Sequence, residues 1–101
     1  MIIVIATIQC RPGTRDKFLA EFNQIVADVR AEAGCIEYGP TVDAATDLDK
    51  QDRDFNRVVI VEKWESLETL KAHLQAPHME AYRPRVRAYV ESSELRVLEA
   101  A

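Results

Sequence analysis

Twice along this chain an apolar strand runs directly into an amphipathic helix, and that repeated pairing restricts the fold more than any other feature. The first strand is Ile2 to Gln9 (IIVIATIQ), rich in β-branched residues and broken by Pro12-Gly13 before it reaches helical length. Its apolar run, with little alternation, predicts a strand buried on both faces. Thr14 stands where a hydroxyl can accept a free backbone N–H. After it Phe18, Phe22, Ile25, Val26, Val29 and Ala33 recur at helical spacing, with charged residues around the rest of the circumference. Gly34 is expected to close that helix, since a left-handed residue there carries the least steric penalty.

The second pairing begins at Phe55 to Trp64 (FNRVVIVEKW). One face of this strand carries Val58, Ile60, Glu62 and Trp64, and the other Arg57, Val59, Val61 and Lys63. Ser66 suits the N-cap of the helix that follows, in which Leu67, Leu70 and Leu74 mark the expected buried stripe and His73 lies on nearly the same face. Pro77 fits the first turn of a further helical piece holding Met79, Tyr82, Val86 and Tyr89, which Pro84 should kink or shorten.

Between the two pairings, Cys35 to Val42 (CIEYGPTV) reads as a strand and the aspartate-rich Asp43 to Asp54 as a solvent loop. Glu94 to Glu99 (ELRVLE) closes the chain as a fourth strand. The order is β-α-β-β-α-β, an α+β plan of the ferredoxin-like kind in one domain over residues 1–101, with the fourth, first, third and second strands side by side. That order sets Cys10 and Cys35 about two strand spacings apart, beyond disulfide reach. Helices on one face leave the apolar residues of the other unexplained, and a homodimer packed sheet to sheet resolves this.

At 101 residues, with 48% hydrophobic and 30% charged residues, the composition excludes disordered and membrane classes. A net charge of −4 with no basic run excludes nucleic acid as a partner, because phosphate binding depends on clustered Lys and Arg. The opening MIIVIATIQCRPG lacks a basic leader and reads as a strand, so the expected compartment is the cytoplasm. There is no CxxC, no Cys/His set at metal-ligand spacing and no glycine-rich nucleotide fingerprint.

Glu62-Lys63-Trp64-Glu65-Ser66, followed by Ala72-His73-Leu74 and Pro77-His78-Met79, resembles the antibiotic biosynthesis monooxygenase family. The likeness extends through Arg11-Pro12-Gly13 and Gly34-Cys35-Ile36-Glu37-Tyr38, and so spans essentially the whole chain. It implies a ferredoxin-like protomer paired into a dimeric α/β barrel. It also implies oxygenation of quinols or related dihydroxyarenes by O₂ without metal, flavin or haem. The haem-degrading branch of the fold carries an Asn, a Trp and a His where this chain has Thr7, His73 and Arg83, which disfavours haem chemistry. The polyketide-tailoring branch pairs its strand Trp with an Asn four residues earlier, where Ile60 stands here.

Within that resemblance His73 is the candidate general base, since an imidazole can accept a phenolic proton at neutral pH. The alternative is a helix histidine bonded to a carbonyl or to a strand carboxylate such as Glu62. His78, at a helix start, reads as structural or surface. Trp64 reads either as a stacking surface for an aromatic substrate or as core. Tyr38, Met79, Tyr82 and Phe22 are candidate pocket walls, and Arg83 a candidate for orienting a substrate oxygen. Two other functions stay open: a non-catalytic dimer that binds a small aromatic or quinone, and an isomerase of a small hydroxyketone.

Overall fold

A computed structural model describes residues 1–101. In chain order its elements are β1 (Ile2–Cys10), α1 (Arg15–Arg30), β2 (Cys35–Thr41), β3 (Arg57–Trp64), α2 (Leu67–Leu74), α3 (Pro77–Val86), a 3₁₀ turn (Arg87–Tyr89) and β4 (Val90–Leu98). The strands form one antiparallel sheet in the order β2-β3-β1-β4, as the split β-α-β pattern requires. Both cysteines are free. No helix is long and apolar enough to cross a membrane.

In the register Ala6 faces Ile60 on one side and Leu95 on the other, and residues directly opposite share a face. Val4, Ala6, Val58, Ile60 and Trp64 therefore point together toward the helices, where Phe18, Phe22, Ile25 and Val29 of α1 meet them in a buried core. Glu62 lies in the same inward row as Ile60 and Trp64 and is itself buried. The reverse face presents Ile3, Ile5, Val59 and Val61, half-buried and with no helix over them.

Several local expectations are corrected. Thr14 occupies the N-cap of α1, but its hydroxyl donates to the carbonyls of Arg11 (2.8 Å) and Tyr89 (3.2 Å) instead of accepting from the helix. It thereby ties the entry of α1 to the end of the 3₁₀ turn. The helix ends at Arg30, before Gly34, and Gly34 (φ +84°) instead forms the turn into β2. A Cβ at Gly34 would collide with the Thr69 side chain, so the close approach of α2 requires glycine there.

Ser66 caps α2 as expected: its hydroxyl accepts the Thr69 N–H (3.2 Å) while the Thr69 hydroxyl accepts the Ser66 N–H (3.2 Å). The buried stripe of α2 is Leu70 and His73, whereas Leu67 and Leu74 are exposed, because a helix of eight residues presents only about one side chain per turn to the sheet. Pro77 occupies the first turn of α3, and α3 runs two residues past Pro84 before tightening into the 3₁₀ turn. β3 begins at Arg57, since Phe55 lies in an exposed turn. β4 begins at Val90, four residues earlier than its apolar pattern suggests. The free edge of β1 pairs even the polar Ser92 and Ser93, with a bulge at Gln9/Cys10.

Candidate active site

A cavity of about 440 Å³ lies between the inward face of the sheet and helices α1 to α3. Twelve of its seventeen lining residues are hydrophobic, which suits a flat apolar ligand. It opens at β4, whose inward Ser93 and Leu95 lie opposite Ile8 and Ala6 but leave Leu95 largely exposed.

Strand alternation places Glu62 on the cavity wall and Trp64 deeper, where Trp64 is fully buried. The Trp64 indole N–H donates to Glu62 Oε1 at 3.0 Å. Trp64 does not line the cavity; it buttresses the carboxylate and the ring of His73, which lies 4.7 Å away between centroids. Burial raises the Glu62 carboxyl above the ordinary glutamate range, against the Trp64 hydrogen bond and the nearby His73, which pull it down.

Helix α2 carries His73 into the wall between two carboxylates. Nδ1 lies 2.9 Å from Glu32 Oε2, and Nε2 lies 3.9 Å from Glu62 Oε1. A carboxylate only accepts, so Nδ1 holds the hydrogen and Nε2 of the neutral ring keeps its lone pair. The same Glu32 oxygen also accepts from His78 Nε2 at 2.8 Å, which ties the start of α3 to the turn after α1.

Aromatic packing fixes the rest of the wall. Phe22 stacks on Tyr38 (5.4 Å, 18°) and meets Tyr82 edge-on (6.0 Å, 75°), while Tyr38 meets His73 edge-on (5.4 Å, 65°). Burial raises both tyrosine hydroxyls well above their usual range, so they stand as neutral donors. No buried side-chain nitrogen or oxygen lacks a hydrogen-bond partner. His73 Nε2 and the two hydroxyls have no partner in the chain, so they open onto the cavity whose wall their residues form. Met79 is buried in the same wall, and Arg83 lines it from the surface while donating to the Leu74 carbonyl.

Residues 1–85 match the family model described as antibiotic biosynthesis monooxygenase. The chain belongs to the antibiotic biosynthesis monooxygenase family. It is 42% identical over 101 residues to the probable quinol monooxygenase YgiN of Escherichia coli (strain K12), covering 98% of this chain and 97% of that one. It is 30% identical over 82 residues to the putative monooxygenase YcnE of Bacillus subtilis (strain 168), covering 81% and 78%. Among solved structures it is similar to Rv0793 from Mycobacterium tuberculosis (TM-score 0.81, 26% identity, 99% and 94% covered). A putative antibiotic biosynthesis monooxygenase from Nitrosomonas europaea shares the fold at TM-score 0.83 and 16% identity, over 99% and 98% of the two chains.

In this antibiotic biosynthesis monooxygenase domain, His73, Tyr38, Met79, Tyr82, Phe22 and Arg83 converge on one cavity and Trp64 stands behind it. Sequence reasoning did not single out Glu32 or Glu62 as functional. Glu62 carried a signal, since it stands in the inward row of β3 between Ile60 and Trp64. Glu32 carried none: it lies in the turn after α1, 41 residues from His73, and only the fold brings the two together.

Proposed function

We propose that this protein is a monooxygenase of quinols or related dihydroxyarenes that uses O₂ and no cofactor, with His73 as the general base. The observation that carries the reading is the Glu32–His73 pair, with Nδ1 held by a carboxylate and Nε2 free at an apolar cavity. A carboxylate in that position orients the imidazole and stabilises the imidazolium formed when Nε2 takes a proton. The name of the Escherichia coli relative, a probable quinol monooxygenase, supports the substrate class.

In this reading a substrate hydroxyl gives its proton to His73 Nε2, and the electron-rich anion passes one electron to O₂. The resulting semiquinone and superoxide combine at a ring carbon that bears hydrogen. The O–O bond of that hydroperoxide then breaks as the ring proton leaves, giving a carbonyl and water. One oxygen atom ends in a hydroxyquinone and the other in water, so quinol plus O₂ balances without an external reductant. Phe22 and Met79 hold the ring, the Tyr38 and Tyr82 hydroxyls donate to its oxygens, and Arg83 orients a substrate oxygen at the mouth. Trp64 acts from behind by holding Glu62 and the His73 ring. Twelve hydrophobic residues among the seventeen of the lining favour an aromatic substrate over the small hydroxyketone of an isomerase, and of the two arginines at the wall, Arg83 and Arg87, the first already donates to the Leu74 carbonyl.

The same reading includes a homodimer through the helix-free face, supported by Ile5 opposite Val61 and Thr7 opposite Val59 in an uncovered strip. It also includes a cytoplasmic location, supported by two unpaired cysteines. Oxygen uptake with a reduced naphthoquinone tests the chemistry. Wild-type protein should exceed the autoxidation rate and His73→Ala should return to it; equal rates for the two proteins would reject the proposal.

A further inference from the structure

Glu32, His73 and His78 bring a carboxylate oxygen and two imidazole nitrogens within 4.8 Å of one another, on the edge of the His73 ring that faces away from the cavity. We propose that these three residues form a binding site for one divalent transition metal of the zinc class, separate from the substrate cavity.

Four observations carry this. The donor set, two imidazoles and one carboxylate, is one that zinc, cobalt and nickel favour, whereas magnesium and calcium prefer oxygen alone. The two nitrogens already converge on one Glu32 oxygen, at 2.9 Å for His73 Nδ1 and 2.8 Å for His78 Nε2. Tetrahedral zinc with bonds of about 2.0–2.2 Å sets neighbouring ligand atoms roughly 3.4 Å apart, so the two Glu32–imidazole separations must open by about half an ångström and the two nitrogens, within 4.8 Å of each other, must settle at the same spacing. Once Nδ1 binds a metal, His73 carries its hydrogen on Nε2, and Glu62 Oε1, 3.9 Å away, can accept it after the ring closes that gap by about an ångström, giving a carboxylate–histidine–metal arrangement. Access is open, because the His78 side chain is 26% exposed and that of Glu32 is 15% exposed, so an ion can enter from solvent and keep water in its remaining positions.

If His73 is the base, as proposed above, the same tautomer change has a functional consequence. A metal on Nδ1 leaves Nε2 protonated and unable to accept the substrate proton, so the metal switches oxygenation off.

Dialysed protein titrated with ZnCl₂ by calorimetry should bind one ion per chain, and CoCl₂ should produce visible ligand-field absorption that zinc abolishes and magnesium does not. Glu62→Gln should weaken zinc about 10–100-fold, the range for a lost outer-shell partner, and His78→Ala or Glu32→Gln by more than that. His78 and Glu32 are partly exposed, and circular dichroism checks that each variant is folded. Absence of zinc binding, or affinity unchanged in both His78→Ala and Glu32→Gln, overturns the site. In oxygen uptake, zinc should inhibit wild type but not His78→Ala. Stoichiometric binding with undiminished turnover would keep the site and reject His73 as the base.

Discussion

Replacing Glu32 with Gln leaves the shape of the side chain and removes its charge. Its Oε2 is 2.9 Å from His73 Nδ1, and the side chain is 85% shielded from solvent, because its exposure is 15%. A hydrogen bond to a charged group under these conditions contributes about 1.5–3 kcal/mol. The contribution is largest when His73 becomes an imidazolium, so the loss should fall mainly on the transition state. Dividing by about 1.4 kcal/mol per factor of ten gives an expected fall in kcat/KM of roughly 10–150-fold. The assay is initial oxygen uptake across a range of reduced naphthoquinone concentrations, together with the double variant Glu32→Gln/His73→Ala. His73→Ala falls to the autoxidation background, and the double variant should sit at that same background, since the carboxylate acts only through the imidazole. Retention of kcat/KM within about twofold in Glu32→Gln would refute this role for Glu32.

Three further outcomes follow from particular contacts. Burial raises the Glu62 carboxyl, so the folded state holds its proton more tightly than the unfolded chain and stability falls as pH rises through the window above the ordinary glutamate range. Glu62→Gln removes that slope, and in urea unfolding its stability relative to wild type should increase as pH rises above the ordinary glutamate range; a constant difference would contradict it. Gly34→Ala meets both a positive φ and the Thr69 side chain and should lose about 1–3 kcal/mol in thermal or urea unfolding, partly recovered in a Thr69→Ala background. The Tyr38 hydroxyl has no protein partner, so Tyr38→Phe should change stability by less than about 0.5 kcal/mol while raising KM for the quinol, and a loss of stability with unchanged KM would place that hydroxyl in the core.

What the sequence made legible follows from which signals are local. The apolar runs of Ile2 to Gln9 and Val58 to Trp64 marked the sheet centre because a strand paired on both edges is at least half-buried along its whole length, and β1 and β3 are those strands. Ser66 and Pro77 marked helix starts because capping depends on residues within one turn. Leu67 and Leu74 misled for the opposite reason: helical spacing cannot show how far the neighbouring layer extends, and α2 is too short to cover more than Leu70 and His73. The start of β4 was hidden because Glu91, Ser92 and Ser93 owe their strand conformation to the edge of β1 and not to their own propensity. Residue type alone points to His73, whereas the place of Trp64 behind the cavity depends on its indole N–H reaching Glu62, which spacing does not reveal. Glu32, the residue that turns a buried histidine into a candidate base, is joined to it by a contact between distant segments that no local pattern records.

The most direct test of the account is turnover of a reduced naphthoquinone under heavy-isotope O₂, with mass analysis of the organic product and His73→Ala run beside wild type. The account expects one labelled oxygen atom in a hydroxyquinone formed by the wild type, and only the autoxidation background from His73→Ala. An unlabelled quinone as the sole wild-type product, or the same labelled yield from both proteins, would contradict it.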